Sequence, residues 1–105
     1  MRIAIASTGF SIESNISNQF GRSPYFVIYD TETKSLEFIP NPHKDKEEGA
    51  GLAAVKLVVS RNIQKILSGD FGIKIKPLLD SQKIQMIVLK NSDKTISDII
   101  EMLNH

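Results

Sequence analysis

Tyr25-Phe-Val-Ile-Tyr-Asp30-Thr-Glu-Thr-Lys-Ser35-Leu-Glu-Phe-Ile-Pro40 decides the architecture. Tyr25 to Asp30 and Leu36 to Pro40 are both rich in β-branched and aromatic residues, and the polar stretch Thr31 to Ser35 joins them. Two such runs around a short polar connection read as a β-hairpin. An antiparallel pair in the middle of the chain sets the direction of every strand on either side.

Ahead of the hairpin, Arg2-Ile-Ala-Ile-Ala6 has the unbroken apolar character of a central strand covered on both faces. Ser7 to Ser23 is rich in Ser, Asn and Gly and has little periodicity. A connection that long inside a compact domain is often functional. Behind the hairpin comes a polar loop, Asn41 to Gly49, which carries His43. Gly51 to Ser60 is apolar on most sides except Lys56, as in a helix lying flat on a sheet. Gln64 to Ser68 reads as a fourth strand and Gly69 to Gly72 as a turn. Ile73 to Ser81 reads as a short helix, against which Pro77 argues. Gln85 to Leu89 is a fifth strand. Ser92 or Asp93 then caps a last helix, Thr95 to Leu103, with Ile96, Ile99, Ile100 and Leu103 on one face.

The order β-β-β-α-β-α-β-α predicts one α/β domain over residues 1–105, a five-stranded mixed sheet with helices on its faces. If the first strand runs up, the hairpin takes the second down and the third up, and right-handed crossovers take the fourth and fifth up. Loops 7–23, 41–49 and 69–72 then emerge at one end of the sheet, the carboxyl end, where open α/β sheets bind ligands.

Composition narrows the function. The chain has 105 residues, 41% of them hydrophobic, enough for one domain with a core. Thirteen basic and twelve acidic residues leave a net charge of +1, which gives no electrostatic case for nucleic acid or a membrane surface. The absence of cysteine excludes disulfides, thiolate zinc sites and thiolate-held iron–sulfur clusters. The first apolar run ends at Ser7-Thr8-Gly9, too early for a signal peptide, so a cytoplasmic location is expected.

Each candidate residue carries a chemical and a structural reading. His43 is the candidate metal or anion ligand, since a neutral imidazole can coordinate; alternatively it is a loop histidine without a role. Arg22 can grip a carboxylate, a phosphate or an anionic cluster with its planar fork, or it can tie its own loop to a backbone carbonyl. Gly49 and Gly51 flank the start of a helix, whose free amides attract anions, or they permit tight helix–sheet packing. Gly69 and Gly72 follow a strand, as ligand loops or as plain turn residues. No nucleophile elbow surrounds Ser7, Thr8, Ser11 or Ser14, and no acid–base pair is visible, so the chain is expected not to be an enzyme.

Phe20-Gly21-Arg22-Ser23-Pro24-Tyr25-Phe26, Asn41-Pro42-His43, Gly49-Ala50-Gly51 and Gly69-Asp70-Phe71-Gly72 together resemble the dinitrogenase iron-molybdenum cofactor-binding family, over nearly the whole chain. The resemblance implies a three-layer α/β domain with a ribonuclease-H-like motif. It also implies a carrier or accessory protein for an iron–sulfur or iron-molybdenum-type cluster or its precursor, with a protein partner in cofactor assembly. Nucleases of that fold need a carboxylate on the first strand for two-metal catalysis, and Ile3-Ala-Ile-Ala6 has none. A binder of phosphate-bearing small molecules on the same glycine loops, and a structural or regulatory partner domain without a ligand, are the alternatives.

Overall fold

The computed structural model describes residues 1–90 and 93–104. The elements, in order, are β1 (Arg2–Ser7), β2 (Tyr25–Asp30), β3 (Leu36–Pro40), α1 (Ala50–Val59), β4 (Lys65–Ser68), α2 (Ile75–Ser81), β5 (Gln85–Val88) and α3 (Ile96–Leu103). The sheet order is β3-β2-β1-β4-β5. β2 is antiparallel to β1 and β3, in the registers Ile5↔Val27 and Val27↔Phe38. β4 is parallel to β1 and β5 is parallel to β4. The expected strand directions and the three-layer α/β architecture are both present.

Alternation along β1 explains the layers. Ile3 and Ile5 face α3, in a cluster with Val27, Leu67, Ile96 and Ile99. Ala4 and Ala6 face the other way, in a cluster with Phe26, Ile28, Ile66 and residues of α1 and α2. Successive strand residues point to opposite faces, and β1 is covered on both, so its sequence is continuously apolar rather than alternating.

The helix ends shift slightly from expectation: α1 runs from Ala50 to Val59 rather than Gly51 to Ser60, and α2 begins at Ile75 rather than Ile73. Pro77 is the third residue of α2, within the first turn, where the backbone N–H it lacks would have had no intrahelical partner. The cap of α3 is Thr95: its hydroxyl accepts the Asp98 N–H while the Asp98 carboxylate accepts the Thr95 N–H. This capping box displaces Asp93 as the cap; Ser92, the other candidate, lies outside the described residues, as does His105.

The crevice expected at the top of the sheet, where chain order reverses between β1 and β4, is closed. The Ser17 N–H donates to the Ala6 carbonyl at 2.8 Å, and the Ser17 carbonyl accepts the Gly69 N–H at 2.9 Å. The loop after β1 thus bridges the ends of both strands, and the open space lies beside it, on the α1–α2 side.

Candidate functional site

That space is an open cleft of about 1100 Å³. Three segments wall it: Gln19 to Arg22, Glu48 to Leu52 at the start of α1, and Asp70 to Leu78 running into α2.

Backbone proximity builds its floor. A Cβ on Gly21 would lie 2.9 Å from both the Cα and the N of Gly51, closer than real Cβ contacts come. A Cβ on Gly51 would meet the Ile75 Cδ1 atom at 2.5 Å. Aromatic packing locks the same junction: the Phe20 ring lies 5.2 Å from Phe71 and 5.4 Å from Phe26. The Phe20 N–H donates to the Asp70 carbonyl at 3.2 Å.

Asn41 ties the remaining motif to this junction. It is 3% exposed. Its amide donates to the carbonyls of Gly21 at 3.1 Å and Ser23 at 2.9 Å, and its side-chain oxygen accepts the His43 N–H at 3.0 Å. Buried Ser23 accepts the Ser7 N–H at 3.1 Å and contacts the carbonyls of Ser7 and Tyr25. Ser7, Ser17 and Ser68 likewise spend their hydroxyls on loop carbonyls. These bonds satisfy backbone groups that loop burial would otherwise strand.

The predicted site residues separate. Arg22, Gly49, Gly51 and Gly72 line the cleft. Gly69 does not: its α-carbon faces Asn18, whose Cα would be 2.7 Å from an added Cβ. His43 does not either; it lines a smaller hollow that meets the cleft at Gly49 and Leu52. Arg22 is exposed, and its Nη1 donates to the Lys44 carbonyl at 2.9 Å, the structural reading of that residue. Gly49 sits at φ 76°, a left-handed backbone that glycine adopts without a side-chain penalty. Its conformation starts α1 with no side-chain cap and no acid in the first turn, so the first amides of the helix stay uncompensated.

The cleft also holds residues that were not candidate ligands. Lys74 joins Arg22 as a basic group, Glu48 and the motif residue Asp70 are acidic, and Ile73 is 93% exposed at the mouth. Nothing in the local sequence around Ile73 marks it; only the fold shows that it has no neighbour to cover it. Among the described residues, no three His, Asp or Glu side chains gather to hold a metal ion. No helix among them is long and apolar enough to cross a membrane.

The fold and the cleft define a three-layer α/β domain whose motif loops meet at the start of one helix. The family model for the dinitrogenase iron-molybdenum cofactor matches residues 1–105, and the chain belongs to that family. Among solved structures it is similar to the apo form of the orange protein from Desulfovibrio gigas, with a TM-score of 0.87 at 24% identity, covering 97% of this chain and 85% of that one. It is also similar to a candidate NifB protein from Thermotoga, TM-score 0.81 at 26% identity, with coverage of 97% and 85%. A candidate dinitrogenase from Methanocaldococcus jannaschii matches with a TM-score of 0.61 at 26% identity, covering 97% and 89%. No curated protein matches the sequence.

Proposed function

We propose that this protein is a non-enzymatic carrier or accessory protein that holds an anionic metallocluster, or a precursor of one, as cargo in the cleft between Arg22, the start of α1 and Lys74. The observation that carries this reading is that parts of three of the family's motifs, Phe20 to Arg22, Gly49 to Gly51 and Asp70 to Gly72, line one cleft. One wall is a helix start with no capping side chain and no acid in its first turn. Amides at a helix N-terminus favour anions, and Arg22 and Lys74 add positive charge on the flanking walls, where Glu48 and Asp70 also stand.

The donor set limits how cargo is held. The chain has no thiolate, and the imidazole of His43 lies in the adjoining hollow. Coordination of a cluster by side chains of the cleft does not fit these residues. Hydrogen bonds and charge around a cluster that keeps its own ligands do fit. A passing role of this kind suits delivery to a protein partner in cofactor assembly. The non-enzymatic reading is supported by the acid-free strand β1 and by serine hydroxyls already engaged with carbonyls.

Anaerobic titration with a synthetic iron–sulfur cluster, followed by absorbance, tests this. Saturable binding is expected, weakened about tenfold in Arg22→Ala because a charge-assisted bond is lost. No binding by the unaltered chain, or equal binding by Arg22→Ala and Lys74→Ala, overturns the assignment.

A further inference from the structure

The second hollow lies outside the cleft and is chemically different from it. It has a volume of about 490 Å³ and is lined by His43, Lys46, Lys56 and an apolar floor of Leu52, Ala53 and Leu57, with Gly49 at its edge. No carboxylate lines it.

Its construction follows from local geometry. Leu52, Ala53, Lys56 and Leu57 recur at helical spacing, so one face of α1 presents them together. The Lys46 N–H donates to the His43 carbonyl at 3.1 Å, and this turn sets both residues beside the same helix face, in the lining of one hollow. Lys44, the neighbour between them, pairs with Asp45 at 3.0 Å and is not part of the lining. Glu48 lines the cleft instead. Lys46 and Lys56 make no ion pair among the described residues.

We infer that this hollow is an anion site, separate from the cleft, for a small phosphate-bearing ligand with an apolar or flat body. Two lysines without an ion-pair partner among the described residues line one hollow together with a histidine. Lysine serves phosphate as a compact point charge with rotatable donors. A floor of leucine and alanine suits the body of a ligand rather than a bare ion, the usual make-up of small-molecule sites. The inference does not rest on the cargo role of the cleft.

Calorimetric titration with inorganic pyrophosphate and with ADP, at moderate salt, tests it. Saturable binding of both is expected, with ADP tighter because its base and sugar cover the apolar floor. Lys46→Ala/Lys56→Ala should weaken both by tenfold or more. Lys65→Ala/Lys90→Ala, which removes equal charge from half-buried Lys65 of β4 and exposed Lys90, should leave both within twofold. Both lysines of the site are exposed, so unchanged melting is expected and checks that the variants fold. No saturable binding, or equal losses in the two double variants, overturns the site. A loss in Arg22→Ala that Lys46→Ala/Lys56→Ala does not share puts the anion in the cleft and also overturns it. Equal affinity for pyrophosphate and ADP overturns the role of the apolar floor.

Discussion

The backbones of Gly21 and Gly51 touch: a methyl group on Gly21 would sit 2.9 Å from the Cα and N of Gly51. The atoms in the way are helix backbone, which cannot rotate aside. Gly21→Ala is therefore expected to push α1 away from loop 19–22 and to destabilise the fold by about 1–3 kcal/mol, the cost of overpacking a tight junction. Gly51→Ala meets the Cδ1 end of the Ile75 side chain, which can turn away, and should cost less. Urea unfolding of the two variants checks the order. A smaller loss in Gly21→Ala than in Gly51→Ala would show that this contact does not set the junction.

That contact also marks where sequence reading stops. The strands were legible because apolar continuity in Ile3 to Ala6 and the hairpin from Tyr25 to Pro40 are local patterns. The glycines read equally as ligand loops or as packing and turn residues, because a G-x-G string does not reveal which backbone approaches it. Gly69 faces Asn18, and Gly21 faces Gly51, across separations no local motif encodes. The Thr95 cap was within reach, since Thr95-x-x-Asp98 has capping-box spacing. Lys46 and Lys56 carry no signal in the sequence, because nothing local shows a turn folding over a helix face.

Asn41 is expected to matter more than His43 for stability. Asn41→Ala strands the buried carbonyl of Ser23 and the partly buried carbonyl of Gly21 and N–H of His43. A loss of about 2–3 kcal/mol is expected from leaving such groups unpaired. Asn41→Asp should be no better, since it replaces the donating amide with oxygen facing two carbonyl oxygens. His43→Ala removes no side-chain hydrogen bond among the described residues and should fall within about 0.5 kcal/mol of the unaltered chain. Denaturant melts of the three variants decide it, and a His43→Ala loss as large as that of Asn41→Ala would reverse the roles.

Acid should weaken the attachment of α3 in a defined way. Hydrogen bonds from the Thr95 backbone and then its hydroxyl hold the Asp98 carboxyl below its ordinary value of 3.8. Folding favours the ionised form, so this stabilisation is complete above that value and is lost as pH falls through the lower folded value. Asp30 is lowered too, by the N–H groups of Glu32 and Thr33, so both contribute in the same direction. Asp98→Asn should melt lower at neutral pH, and its Tm should fall less steeply below about pH 4 than that of the unaltered chain. Parallel acid limbs for the two proteins would remove Asp98 from this account.

Arg22 is where the structural and the ligand readings meet in one side chain. Its guanidinium spends one donor on the Lys44 carbonyl at 2.9 Å and has others to offer the cleft it lines. The bond is exposed and joins two surface loops, so Arg22→Ala should change stability by no more than about 0.5 kcal/mol. Faster hydrogen exchange is expected in residues 42–48, whose loop it fastens. Cluster binding should fall at the same time. Arg22→Lys then separates the two jobs. A lysine keeps the charge but loses the planar fork, so it should recover part of the binding while leaving exchange in the loop fast. Were Arg22→Ala to cost well over 1 kcal/mol, with binding unchanged once the variant is folded, the residue would be a strap across the loops and the cleft would lose its best cation.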